Sequence, residues 1–313
     1  MSENIITVDR LAKKFRTFKR REGIKGSVQD LFHRNYFDVD AVSDISFTVK
    51  PGELVGYIGA NGAGKSTSIK MLTGILKPTS GKIDVMGYEP FSERKRYVRD
   101  IGVVFGQKTQ LWWDIAVIES YKLLAKIFEV PDAEYKKRLD LLVDVLDLSS
   151  FLNTPVRKLS LGQRMRADLA ASLIHGPKVL FLDEPSIGLD AIAKVAIREF
   201  LKKLNTEQKI TMLLTTHDLK EIEELCERII IIDKGSVIFD GPLATIRQIS
   251  GLRNRVTVEF SHAAKELQLP WQGDVTASIK DVNKIEALVN TKEVKVAEFL
   301  KWVFLQGDVT DVH

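Results

Sequence analysis

Apolar and polar residues alternate over residues 5–8 and again over 42–49, ahead of a Pro51-Gly52 turn. This two-residue period predicts a pair of half-buried strands. A different pattern fills residues 54–58, 179–182, 210–214 and 228–232, which are compact and mostly apolar, rich in Val, Ile and Leu. Unbroken apolar runs of that length predict strands buried on both faces, as in a parallel sheet. Residues 83–85 and 101–105 read as shorter strands. Helical spacing follows through Met71 and Leu72 and returns over 192–204 and 219–226, so strands and helices alternate. That alternation predicts an α/β fold with a mostly parallel sheet and an antiparallel β subdomain built on the first strands. Residues 111–149 read as helical, with Leu123, Leu124, Ile127, Leu139, Leu142, Val143 and Leu146 as the apolar set. They predict an inserted helical subdomain over about 108–165. Residues 237–240 and the Gly241-Pro242 turn close a main domain expected over 1–245.

Beyond residue 251 the pattern changes. Val256, Val258 and Phe260 alternate, and residues 275–279 and 285–289 predict a hairpin across 281–283. A helix with Ala297, Leu300, Trp302, Phe304 and Leu305 follows, then a strand-like stretch at 308–312. Residues 246–313 are therefore expected to form a small separate α/β accessory domain. An insertion at 16–37 carries Arg16, Lys19, Arg20, Arg21 and Lys25 and predicts a short helix near 28–32. Such charge suits an anionic lipid surface, but Glu22 and Asp30 dilute it, which favours a solvated loop.

Composition narrows the function. The chain has 313 residues, is 44% hydrophobic and 28% charged, and carries a formal charge of +4, too little for a nucleic-acid partner at this size. Cys226 is its only cysteine and sits in an apolar helical pattern, so it reads as core packing in a reducing compartment. No signal-peptide pattern opens the sequence, and no apolar run approaches the roughly 20 residues of a membrane span. Work at a membrane then needs a partner that spans it.

Gly59-Ala60-Asn61-Gly62-Ala63-Gly64-Lys65-Ser66-Thr67 fits the P-loop pattern in full and stands between a predicted strand and a predicted helix. Glycines let backbone N–H groups close on phosphate oxygens, and the helix adds its positive end. Lys65 is placed to reach the β- and γ-phosphates, and the Ser66 hydroxyl to bind Mg²⁺. Asp183 and Glu184 end the apolar run 179–182. An acid at a buried strand end needs a cation, so Asp183 reads as the group holding Mg²⁺. Glu184 reads as the group that polarises an attacking water.

Leu159-Ser160-Leu161-Gly162-Gln163-Arg164, leading straight into a helix, resembles the signature of the ABC ATPase family, Leu-Ser-Gly-Gly-Gln. It departs from that signature by Leu161 at a glycine position, while Ser160, Gly162 and Gln163 are kept. The other motifs of the family follow in order. Gln107 looks like the glutamine that senses Mg²⁺ and water. Ser186-Ile187-Gly188-Leu189-Asp190 looks like the loop that crosses the dimer interface. His217 looks like the switch histidine at the γ-phosphate, and Phe15 resembles the aromatic that stacks on adenine, with Tyr36 and Phe37 as nearby alternatives.

The resemblance covers about residues 5–245. It implies ATP hydrolysis with Mg²⁺ by two chains arranged head to tail, each ATP held between one P-loop and the other chain's residues 160–163. It also implies membrane permease subunits as partners, with this chain at the cytoplasmic face of the membrane. Trp112, Trp113 and Asp114 suit either a protein contact or burial. The segments 103–107 and 111–114 look like the ABC-2-type exporter branch, whose members often carry a small α/β tail that continues with one more helix. A ribosomal or chromosomal ATPase is disfavoured by the single motif set and the compact helical insertion, and an importer ATPase by the few strands of the tail.

Overall fold

A computed structural model of the chain describes residues 3–18, 36–106, 108–246, 254–262, 269–271, 273–290 and 293–312. The helix expected near 28–32, most of the basic insertion and Gln107 lie outside the described residues. The chain divides into two compact units, Met1–Leu243 and Ala244–His313.

The first unit is built on a nine-stranded sheet. Its strands are β1 (Ile6–Phe18), β2 (Tyr36–Val49), β3 (Leu54–Gly59), β4 (Ser80–Val85), β5 (Ile101–Phe105), β6 (Val179–Asp183), β7 (Thr211–Thr215), β8 (Arg228–Asp233) and β9 (Ser236–Pro242). Their order is β4-β1-β2-β9-β8-β3-β7-β6-β5. The strands with unbroken apolar runs form the parallel block β8-β3-β7-β6-β5, while β1 pairs antiparallel with both β2 and β4. This is the expected P-loop α/β fold with its antiparallel subdomain. Branched side chains buried on both faces leave the parallel strands no solvated side, so Val179, Leu180, Phe181 and Leu182 are all fully buried.

The longer helices of the unit are α1 (Lys65–Leu72), α2 (Val117–Ile127), α3 (Asp132–Val145), α4 (Leu161–Leu173), α5 (Ala191–Gln208) and α6 (Leu219–Leu225). In the helical insertion Leu142 and Leu146 are buried as their spacing predicts, but α2 is turned from the face expected. Leu124 is buried, but Leu123 and Ile127 are exposed, and Val117, Ser120, Tyr121 and Ala125 are buried beside Leu124. The reason is a buried polar anchor: the Tyr121 hydroxyl donates to the Ala167 carbonyl on α4 at 2.9 Å, which fixes the rotation of α2. Trp112 and Trp113 are exposed. Cys226 caps the end of α6 and is buried, and burial pushes its thiol up to about 12, which makes it inert packing.

The second unit contains β10 (Asn254–Phe260), β11 (Val275–Asp281), β12 (Lys284–Val289), α7 (Val296–Phe304) and β13 (Val309–Val312). Its sheet runs β11-β12-β10-β13 with every pairing antiparallel. Val256, Val258, Phe260, Ile285, Ala287 and Val289 face one core with Phe299 and Val303 of α7. Of the apolar residues on the expected helix, Phe304 and Leu305 are exposed. The buried pair is four residues apart, the spacing that keeps two side chains on one helix face.

Asp168 of α4 ties the helical insertion to the segment after β5. Its Oδ1 accepts from Thr109 Oγ1 and from the Gln110 N–H, each at 2.9 Å. Burial pushes this carboxyl up to about 6, against those two bonds and the nearby Arg164 charge. Its native value thus lies above its ordinary one, so stability is highest with the group protonated and falls as pH rises through about 6. An Asn side chain keeps an acceptor without the charge. Asp168→Asn is expected to melt at a higher temperature than the wild type at pH 7.5, with the gain shrinking at pH 5, as measured by thermal scans at both values.

Candidate nucleotide site

Strand β3 ends at Gly59 and α1 starts at Lys65, so residues 59–64 must reverse the chain between a buried strand and a helix. Gly64, at the helix N-cap, has φ +108°, and a β-carbon there would stand 2.6 Å from the Ala41 carbonyl of β2. Only glycine fits. It also has no side chain to spend on the first N–H groups of α1, which leaves them for an anion. Lys65 is buried and curls over the loop, its Nζ donating to the Gly59 and Ala60 carbonyls at 2.6 and 3.0 Å. Behind the loop, the buried Tyr57 hydroxyl donates to Ser68 Oγ at 3.1 Å, and burial pushes that phenol well up.

One cavity brings together Ser66, Asp183 and Glu184 of the expected residues, with Lys70, Phe105, Gly106 and Lys108 in its lining. Ser66 Oγ donates to Asp183 Oδ1 at 3.4 Å, and Thr215 Oγ1 donates to the same oxygen at 2.6 Å. Parallel pairing places Asp183 directly beside Thr215, so the contact follows from the register of β6 and β7. Glu184 takes φ +55°, a left-handed conformation that non-glycine residues seldom adopt, and its N–H donates to the Thr215 carbonyl at 2.9 Å. His217 Nδ1 lies 3.5 Å from Glu184 Oε1. The N–H of Gly106 donates to the Asp183 carbonyl at 2.7 Å, which anchors the start of the loop after β5.

The remaining expected residues lie elsewhere. Ser160 caps α4: Gln163 donates its N–H to Ser160 Oγ at 3.2 Å, and the Ser160 N–H donates to Gln163 Oε1 at 2.9 Å. Residues 160–163 do not line that cavity. Asp190 caps α5, accepting from the Ala193 N–H at 2.8 Å. Phe15 pairs with Val39 across the β1–β2 ribbon, two residues from Ala41, and is 41% exposed. It is thus a surface ring near the strand that touches the loop, and Tyr36 and Phe37 are exposed on the same ribbon.

Sequence reading missed Thr215, Lys70, Lys108 and Asp168. Thr215 ends a strand next to the Asp183 strand, and that adjacency was the only available signal. Which strands neighbour each other is not written along a single chain.

These features define a P-loop nucleotide-binding protein with a mixed sheet, and the comparisons place it more narrowly. The sequence profile of the ABC transporter family matches residues 42–187. The ABC transporter ATP-binding protein NatA of Bacillus subtilis (strain 168) is 35% identical over 208 residues, which is 66% of this chain and 84% of that protein. The Nod factor export ATP-binding protein I of Burkholderia thailandensis is 38% identical over 213 residues, 68% and 69% of the two chains. Among solved structures, the dimeric post-hydrolysis state of the ATP-binding cassette MJ0796 bound to ADP and Pi matches with a TM-score of 0.64 at 26% identity. That match spans 76% of this chain and 98% of the other. This chain belongs to the ABC transporter family of ATP-binding proteins.

Thr215→Val keeps the shape of the side chain and removes the hydrogen bond to Asp183. A bond to a charged acceptor is worth about 1.5–3 kcal/mol. Thr215→Val should therefore lower the ATP hydrolysis rate by about tenfold with unchanged circular dichroism, measured by phosphate release.

Proposed function

We propose that this chain binds ATP with Mg²⁺ and hydrolyses it as half of a head-to-tail homodimer that drives export through a separate membrane permease. One spatial observation carries the reading. Ser66 of the P-loop, Asp183 and Glu184 line one cavity, while residues 160–163 head α4 outside its lining. A signature turn away from its own chain's phosphate site is available to the nucleotide of a second chain.

Within that reading, the loop N–H groups and the first turn of α1 bind phosphate oxygens, and Lys65 trades its carbonyl partners for β- and γ-oxygens. Ser66 and Asp183 hold Mg²⁺, with Gln107 added by resemblance to the family. A hydroxyl and one carboxylate suit this small, hard cation, which takes its other ligands from water and phosphate. Among the described residues no three His, Cys, Asp or Glu side chains group as a metal site, in keeping with a cation that arrives with the nucleotide. Bound there, Mg²⁺ neutralises charge on the phosphates. Glu184 orients the attacking water and takes its proton, while His217, beside Glu184, contacts the γ-phosphate. Phe15 stacks on adenine, and the partner chain lends Ser160, Gly162, Gln163 and Asp190.

Among the described residues no helix is long and apolar enough to cross a membrane, so transport requires a spanning partner. Trp112 and Trp113, exposed just after β5, are suitable anchors for it. The similarity to a Nod factor export protein supports the outward direction.

Glu184→Gln should abolish steady-state hydrolysis and trap an ATP-bound dimer, seen as a shift to twice the mass in size-exclusion chromatography with Mg-ATP. Robust turnover or a monomer would refute the assignment. Lys65→Ala and Ser160→Ala should each be inactive alone. Mixed together they should regain part of the activity, because one composite site is then intact; no recovery would count against sharing between chains.

A further inference from the structure

The signature departs from its family pattern at Leu161, and the structure gives that departure a place. Leu161 opens α4 and lies against Gly188, in the loop that follows Glu184. A β-carbon on Gly188 would stand 2.1 Å from Leu161 Cδ2 and 3.2 Å from Leu161 Cγ. Among the described residues outside the glycine's own chain neighbours, only Leu161 comes within 4 Å of that position. Gly188 itself has φ +71°. The contact is returned: Leu189 Cδ2 lies 3.4 Å from the position of a β-carbon on Gly162. Two Leu-Gly pairs thus interlock head to tail, each leucine resting on the other segment's bare backbone.

The two segments have different duties in the proposed mechanism. Residues 160–163 serve the partner's nucleotide. Residues 186–190 are strung from Glu184, with the Ile187 N–H donating to the Glu184 carbonyl at 3.3 Å and the Leu189 N–H to the Ser186 carbonyl at 3.2 Å. Asp190 then caps α5. Leu161 is 42% exposed, so the contact lies at the surface, but its side chain fills the space over the bare backbone of Gly188 and a shift of either segment meets the other's atoms directly.

We infer that Leu161 is a positioning residue, a key seated on Gly188 that makes the signature turn and the loop after Glu184 move as one body. Closure on the partner's nucleotide is thereby felt at this chain's own Glu184. The inference rests on the head-to-tail reading given above.

Amide hydrogen exchange on the nucleotide-free protein tests the interlock without invoking a dimer. Leu161→Gly should speed exchange at residues 186–190 by about tenfold while leaving the P-loop unchanged; unaltered exchange there overturns the inference. Kinetics tests the consequence. Leu161→Gly should lower kcat by roughly tenfold with the KM for ATP within about twofold, the mark of misplacement rather than lost binding. Gly188→Ala should impair kcat by displacing Leu161 as well as by straining the backbone at φ +71°, and on a Leu161→Gly chain, where the contact is already gone, it should cost much less than on the wild type. Strictly additive effects would overturn the inference. A Glu184→Gln chain that stays monomeric in Mg-ATP removes the head-to-tail reading and with it the coupling role, while the exchange result still judges the contact itself.

Discussion

A carboxylate at the end of a buried parallel strand is the constraint around which the first unit is arranged. Asp183 leaves a strand whose other residues are apolar and buried, so its oxygens must find donors or a cation. Thr215 on one side and Ser66 on the other supply hydroxyls to a single oxygen, which joins β6, β7 and the start of α1 at one point. The same strand ends hold Glu184 in its left-handed turn through the Thr215 carbonyl. Backbone strain at a residue is kept only where surrounding bonds over-determine it, and it gathers at sites of chemistry. Glu184 meets the first condition, held by the Thr215 carbonyl and the turn that follows it.

A second layer of polar contacts links this point to the helical insertion. Gly106 is bonded to the Asp183 carbonyl, and a few residues on, Thr109 and Gln110 are bonded to Asp168 of α4. Arg164 stands 5.0 Å over the Trp113 ring, and Arg157 pairs with Asp114 at 3.1 Å. The segment after β5 is therefore held at one end by the strand that carries the acids and at the other by the signature helix. A buried carboxylate such as Asp168 is a costly clasp for packing alone, because its charged form is disfavoured there. It does provide directional bonds that hydrophobic contact cannot.

The second unit follows simpler rules. Alternation along β10 and β12 sends one set of side chains to α7, and the other face carries charge pairs such as Arg255 with Glu286 and Lys284 with Glu259. That is the pattern of an antiparallel sheet covered on one side.

The pattern along the chain was enough to show the parallel strands, the antiparallel opening pair, the P-loop between strand and helix, and the alternation of the tail. Each rests on local steric and solvation rules that act within a few residues, and so each is written locally. The same holds for the residue types of the candidate phosphate loop, since a glycine-rich turn followed by Lys65 and Ser66 has few other physical uses. Tertiary structure alone decided the rest. It put Thr215 beside Asp183 through strand order, turned α2 so that Leu123 and Ile127 face outward, left Phe304 and Leu305 exposed, and laid Leu161 on Gly188. These depend on which surfaces meet across tens of residues of intervening chain, and periodicity cannot encode that, because it fixes the spacing of a face but not its partner.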